Sequence, residues 1–156
     1  MRIQPSTPRT TPRVSETVSF PSMSARDFVS FVDKAADKEI VKAARPRNWV
    51  LSLAEQKTLP PWLQAQAQSL REGYAASPDI KSRTINVVAV HAKVSATILM
   101  AVQSAIAGRP VGPREVLDNP SFVEGLMKTT VTKDHVAELD KYSPGLTKYL
   151  ESLLQS

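Results

Sequence analysis

Apolar residues along this chain recur at helical spacing and nowhere alternate as a strand would. Val90, Val94, Ile98, Val102 and Ile106 stand at every fourth position, which aligns them in one row of a helix. Asn86, Lys93, Thr97 and Ser104 form a narrow polar stripe on another face. The pattern predicts one long helix from about residue 78 to residue 107. Ser77-Pro78 supplies a capping side chain and a proline preset for the first turn. Gly108 follows the last apolar residue, where a left-handed C-cap is wanted. The apolar arc is too wide for a surface helix, so other helices must wrap it.

Those other helices have legible starts and stops. Ser24 followed by Asp27 approximates a capping box, and Phe28, Phe31, Val32, Ala35, Ile40 and Ala43 give the first helix a buried side before Arg45-Pro46 stops it. Asn48 is the expected cap of a short helix through Lys57, with Trp49, Val50 and Leu53 facing inward. Pro60-Pro61 separates it from a helix over Trp62 to Tyr74. The Gln64–Gln68 stretch alternates with alanine, yet both residue types favour helix over strand. Beyond the turn-rich Arg109–Pro113 connector, a turn is expected over Pro113–Leu117. Asn119-Pro120, Thr132 and Ser143-Pro144 then each open a short helix, the last ending near Leu154. The expected fold is all-α: an irregular helical bundle around one long central helix, preceded by a disordered N-terminal arm. Residues 1–21 are that arm, basic and rich in Pro, Ser and Thr, and unable to bury enough surface to offset ordering entropy. Residues 22–154 form one all-α domain.

Composition narrows the classes. The chain has 156 residues, 42 % hydrophobic and 22 % charged, ordinary values for one globular domain. The absence of cysteine excludes a disulfide framework, thiolate metal sites and a cysteine nucleophile. His91, Lys93 and Gln103 interrupt the central apolar stretch, so no membrane insertion is expected. The first residues lack the apolar core of a cleavable signal peptide. Their Arg, Ser and Thr content loosely resembles an organellar transit peptide, but Pro5, Pro8 and Pro12 oppose the amphipathic helix such a peptide needs. The expected location is therefore cytoplasmic, or exported without a classical signal.

Charge is unevenly placed. The net charge is +5; residues 1–110 carry 15 Lys/Arg against 8 Asp/Glu, and residues 111–156 carry 5 against 7. An acidic or polyanionic partner should therefore meet the first two thirds. Arg2, Arg9 and Arg13 lie on the arm, and Lys42, Arg45, Arg47 and Trp49 cluster at a helix break. Such groups can follow a phosphate backbone and stack on a base. The plainer account is that Lys42 and Arg45 complement the negative end of the first helix while Trp49 anchors the core.

Catalytic chemistry is thin. The only histidines, the residue type most often used as a base near neutral pH, are His91 and His135. His91 sits on the central helix with no partner implied and reads as a packed ring, and His135 reads as solvated surface. No catalytic, cofactor or metal site emerges, and no cofactor is expected. Val136-Ala137-Glu138 and the following Lys141-Tyr142-Ser143 turn, with Leu146–Leu150 after it, resemble a DNA-reading helix-turn-helix. Lys141 at the turn, Thr147 at a core position and the net negative surroundings favour an ordinary helical hairpin. Ala89, Ala92, Ala96, Ala101 and Ala105 permit close helix approach, from within the chain or from a partner. The reading these features favour is a non-enzymatic protein–protein interaction or assembly protein: an adaptor, secreted factor or structural subunit. It would act through helix faces and the flexible arm, with a protein partner or self-association. The alternative is a nucleic-acid-binding protein using Arg2, Arg9, Arg13, Lys42, Arg45, Arg47 and Trp49.

Overall fold

A computed structural model of the chain describes residues 22–44, 50–75 and 85–155. Helices account for 78 % of it, and the bundle is built around one long central helix. The arm at 1–21, the cap proposed at Ser77-Pro78 and the break at 45–49 lie outside the described residues.

Helix α1 (Ala25–Ala44) buries Phe28, Val32, Ala36, Ile40 and Ala44, one row at four-residue spacing. The expected cap is present: Asp27 N–H donates to Ser24 Oγ at 3.2 Å. Phe31, expected inside, stands exposed, because the buried row passes through Phe28 and Val32 one face away. Two backbone bonds, Ala25 N–H to Thr129 O and Val131 N–H to Met23 O, fasten the start of α1 to the distal third of the chain.

The next segment departs from expectation. Val50 and Leu51 form a two-residue strand, β1, which pairs antiparallel with β2 (Ile85–Asn86) in the register Val50 to Asn86 and Leu51 to Ile85. The short helix α2 (Leu53–Gln56) is therefore capped by Ser52 and not by Asn48. Ser52 Oγ accepts from Glu55 N–H, and the Glu55 carboxylate accepts from Ser52 N–H. This reciprocal box fixes the helix start and leaves Val50–Leu51 extended. Leu53, expected on an inner face, is 50 % exposed. Helix α3 (Pro61–Ala75) matches the expected span and buries Trp62, Leu63 and Ala67.

Central helix α4 (Val87–Ala107) is shorter at its start than expected, because Ile85 and Asn86 are committed to β2. Asn86, read from the sequence as part of a polar stripe, is the N-cap: its Oδ1 accepts from Val88 N–H at 2.7 Å. At the other end Gly108 adopts φ 75°, and its N–H donates to Ser104 O. The predicted row is buried at Val90, Val94, Ile98 and Val102, and every residue from Ala101 to Ala105 is buried. Helices α1 and α3, with α6 and α7 below, pack on it, α1 most extensively. By length and composition α4 is apolar enough to cross a membrane, and 44 % of its most apolar stretch is buried inside the bundle. Here its apolar rows close the bundle.

Residues Pro113–Asp118 form helix α5 and not a turn, followed by α6 (Pro120–Lys128), α7 (Lys133–Glu138), a 3-10 turn over Leu139–Lys141 and α8 (Leu146–Gln155). Thr132 caps α7 as expected, and His135 returns the bond through Nδ1, so this histidine belongs to the cap. Two other expected caps fail. Asn119 makes no side-chain cap bond. Ser143 is buried, and its Oγ accepts instead from Trp62 Nε1 at 2.8 Å, which delays α8 to Leu146. Gly145 takes φ 89° in that turn, where a Cβ would lie 3.7 Å from Cδ1 of Trp62.

Candidate functional site

Helix α1 presents three longitudinal faces, and each has a different task. The first is the buried row already described. The second is a polar seam against α4. Ser95 Oγ donates to Asp33 Oδ1 at 2.5 Å, and one turn along His91 Nδ1 lies 3.4 Å from Asp37 Oδ1. These contacts set an antiparallel register, Asp33 opposite Ser95 and Asp37 opposite His91. One further turn places Val41 opposite Val87, beside Val88. Val41 and Val88 are both exposed, at 42 % and 61 %.

His91 thus has the acidic neighbour that its sequence context did not reveal. Ser95, the nearby hydroxyl on the same helix, gives its hydrogen to Asp33 and not to the imidazole. Nε2 of His91 is buried without a hydrogen-bond partner among the described residues. Burial of Asp37 Oδ1 raises its carboxyl above the usual range; His91 acts against that shift, and Asp33 adds to it. The seam is an interhelical polar clamp. Among the described residues no group of three or more His, Asp or Glu side chains is placed to hold a metal ion.

The third face points to solvent. Ser30, Lys34, Lys38 and Lys42 follow at four-residue intervals, all exposed, on the side of α1 away from the core. None of the three lysines takes part in the ion pairs of the described residues. Asp37 lies three residues from Lys34 but is drawn to His91. Glu39 lies three residues from Lys42 but stands close enough to Tyr149 to act on its hydroxyl. Lys38 has no acid at all at helical spacing. Lys42 is the one member of the expected basic cluster among the described residues; Arg2, Arg9, Arg13, Arg45, Arg47 and Trp49 lie outside them. Sequence reasoning missed Lys34 and Lys38, although their four-residue spacing with Lys42 is visible in the chain.

A separate apolar surface lies at the far end of α4. Arg109 forms a two-pronged ion pair with Glu115 and lies 5.2 Å over the Phe122 ring. That pairing lowers the Glu115 carboxyl below its ordinary value. It braces α5 against α6 and leaves Leu117 81 % exposed, with Phe122 partly exposed beside the arginine. The helix-turn-helix-like segment is closed by polar bonds: Thr147 Oγ1 donates to Val136 O at 2.7 Å, and Thr147 N–H donates to Asp140 Oδ1. Lys141 is paired with Glu138.

The chain matches no family model, no curated protein and no solved structure.

Proposed function

We propose that the protein is a non-enzymatic interaction or assembly subunit that works through its helix faces. The observation that carries this reading is the large apolar side chain of Leu117, held almost fully in solvent on a helix braced by the Arg109–Glu115 pair. An isolated exposed leucine is common. A leucine presented on a short helix braced by an ion pair, with a second partly exposed apolar side chain on the following helix, is a starting point for an apolar contact. Within the described residues the only histidine with an acidic neighbour sits in a structural clamp, so chemistry has no comparable support.

A photoreactive residue at position 117 in the full chain tests this, irradiated in cells that produce the protein and compared with the same residue at exposed Lys57. Discrete protein adducts at position 117, persisting in high salt and lost on Phe122→Ser, are expected. Adducts to nucleic acid alone, or equal labelling from both positions, would overturn the reading.

The lysine row of α1 supports a second reading, nucleic-acid binding, to which Arg2, Arg9, Arg13, Arg45, Arg47 and Trp49, all outside the described residues, would contribute basic and aromatic groups. Its signature is an affinity that falls steeply as salt rises.

A further inference from the structure

We infer that the outer groove between α1 and α4 is a docking site for an acidic amphipathic helix of a partner protein. This rests on the interaction reading above and assigns it a second, distinct surface. Two unlike exposed rows follow the polar seam, one on each helix, each next to the seam residues in helical sequence. On the α1 side stand Lys34, Lys38 and Lys42, exposed and outside the ion pairs of the described residues. On the α4 side stand Val88, Ala92 and Ala96, again at four-residue spacing and all exposed.

The two rows ask for one kind of occupant. Alanine at successive turns lets another backbone approach closely, and Val88 and Val41 add exposed apolar surface, one on each helix. A partner helix can lay an apolar stripe along the α4 row. Its neighbouring face then meets three ammonium groups spread over two turns, about 12 Å, which acids at four-residue spacing on the partner would match. The floor does not oppose this. Asp33 is hydrogen-bonded to Ser95, and Asp37 is paired with His91, so both carboxylates are engaged within the seam. A phosphate backbone would use the lysines but would leave the Val88–Ala92–Ala96 row without a role.

Local energetics point the same way. Lys34–Lys38 and Lys38–Lys42 are like-charge pairs at four-residue spacing, an arrangement that weakens a helix. An acidic partner relieves that repulsion on binding. The same partner would be steered toward the basic first two thirds of the chain.

The test measures binding of the full chain to three probes by fluorescence anisotropy. These are a synthetic glutamate-rich helix with one leucine stripe, the same peptide with lysine replacing glutamate, and a single-stranded oligonucleotide of matched charge. The glutamate peptide should bind and the lysine peptide should not. Lys34→Glu/Lys38→Glu/Lys42→Glu should weaken the complex at least about tenfold, since three surface charge contacts are reversed. Ala96→Trp, which adds bulk at an exposed position, should weaken it independently while the melting curve stays unchanged; Ala92→Trp serves if Ala96→Trp disturbs folding. Failure of the glutamate peptide to bind overturns the inference, as does binding indifferent to the groove variants. Tighter binding of the oligonucleotide, sensitive to the lysines but not to the tryptophan, would reassign the face to nucleic acid. Loss of groove binding with adducts at position 117 retained would remove this site and leave the interaction reading standing.

Discussion

Tyr149 shows how a single buried group can couple the fold to pH. Its ring stacks on Trp62 at 5.6 Å, and its hydroxyl is buried with no hydrogen-bond partner among the described residues. Burial first, and the nearby Glu39 carboxylate second, push its ionisation from 10.0 up to about 12. In the unfolded chain the phenol ionises near its ordinary value, so the folded state holds its proton longer. The stabilisation from keeping it neutral is complete below the unfolded value and is lost as pH rises through the folded one. Thermal melts of the full chain should therefore fall more steeply between about pH 10 and 12 than those of Tyr149→Phe. At neutral pH the phenylalanine variant should be at least as stable, since it removes an unsatisfied buried hydroxyl. Tyrosinate absorbance followed through the same range reports the ionisation directly. Parallel melting curves for the two proteins would show that Tyr149 ionises freely in the fold.

At the scale of elements, α1 carries a conflict between helix stability and surface charge. Lys38 has a lysine one turn away on either side and no acid within helical reach. Lys38→Glu converts both repulsive pairs into attractive ones, each worth a few tenths of a kcal/mol in either sense, so the variant should gain roughly 1 kcal/mol. Chemical denaturation of the two proteins at low salt measures that gain, which should shrink as salt screens it. A destabilised variant would show that Lys38 has an acidic partner in solution. Most helix ends were legible in the chain, because caps and stops are local. Ser24 with Asp27, Gly108 and Thr132 each act within four residues, and the Val90–Val102 row needs only one helix to be read; His135, read as solvated surface, instead returns the Thr132 cap bond. Three features were not legible, because each depends on a distant residue. The pairing of Val50–Leu51 with Ile85–Asn86 shortened α4 and displaced the cap assigned to Asn48. Ser143 looked like a helix cap until Trp62, 81 positions earlier, claimed its hydroxyl. The clamp of Asp37 and His91 exists only in the antiparallel register of α1 on α4. The lysine row was different in kind: its spacing was open to reading, but the charged Asp33–Glu39 stretch concealed which residues share a face.

The whole molecule is bound together by contacts that run from one end of the described chain to the other. Thr129 and Val131 bond to Ala25 and Met23, Arg26 reaches Glu124 at 2.9 Å, and Trp62 reaches Ser143. Each contact crosses α4, which itself touches α1, α3, α6 and α7. Cutting the bundle on either side of α4 would expose buried Val94, Ile98 and Val102 to water. The acidic distal third therefore has no separate core on which to fold alone, although its charge differs in sign from the rest. We accordingly propose that residues 22–154 unfold as one cooperative unit. Trp62 reports the junction of α3 with α8, and far-UV circular dichroism reports all helices. In the full chain carrying Trp49→Phe, which leaves Trp62 as the sole tryptophan, urea transitions followed by fluorescence and by dichroism should coincide. Their common slope should be about 1–3 kcal/mol per molar urea, as for other small domains. A fluorescence change that precedes the loss of helix would mean that α8 and its turn separate first, and that the distal third is a detachable unit docked on the central helix. The groove of α1 and α4 would survive that separation and the Leu117 surface would not, so the order of unfolding also bears on which interaction surface belongs to the stable core.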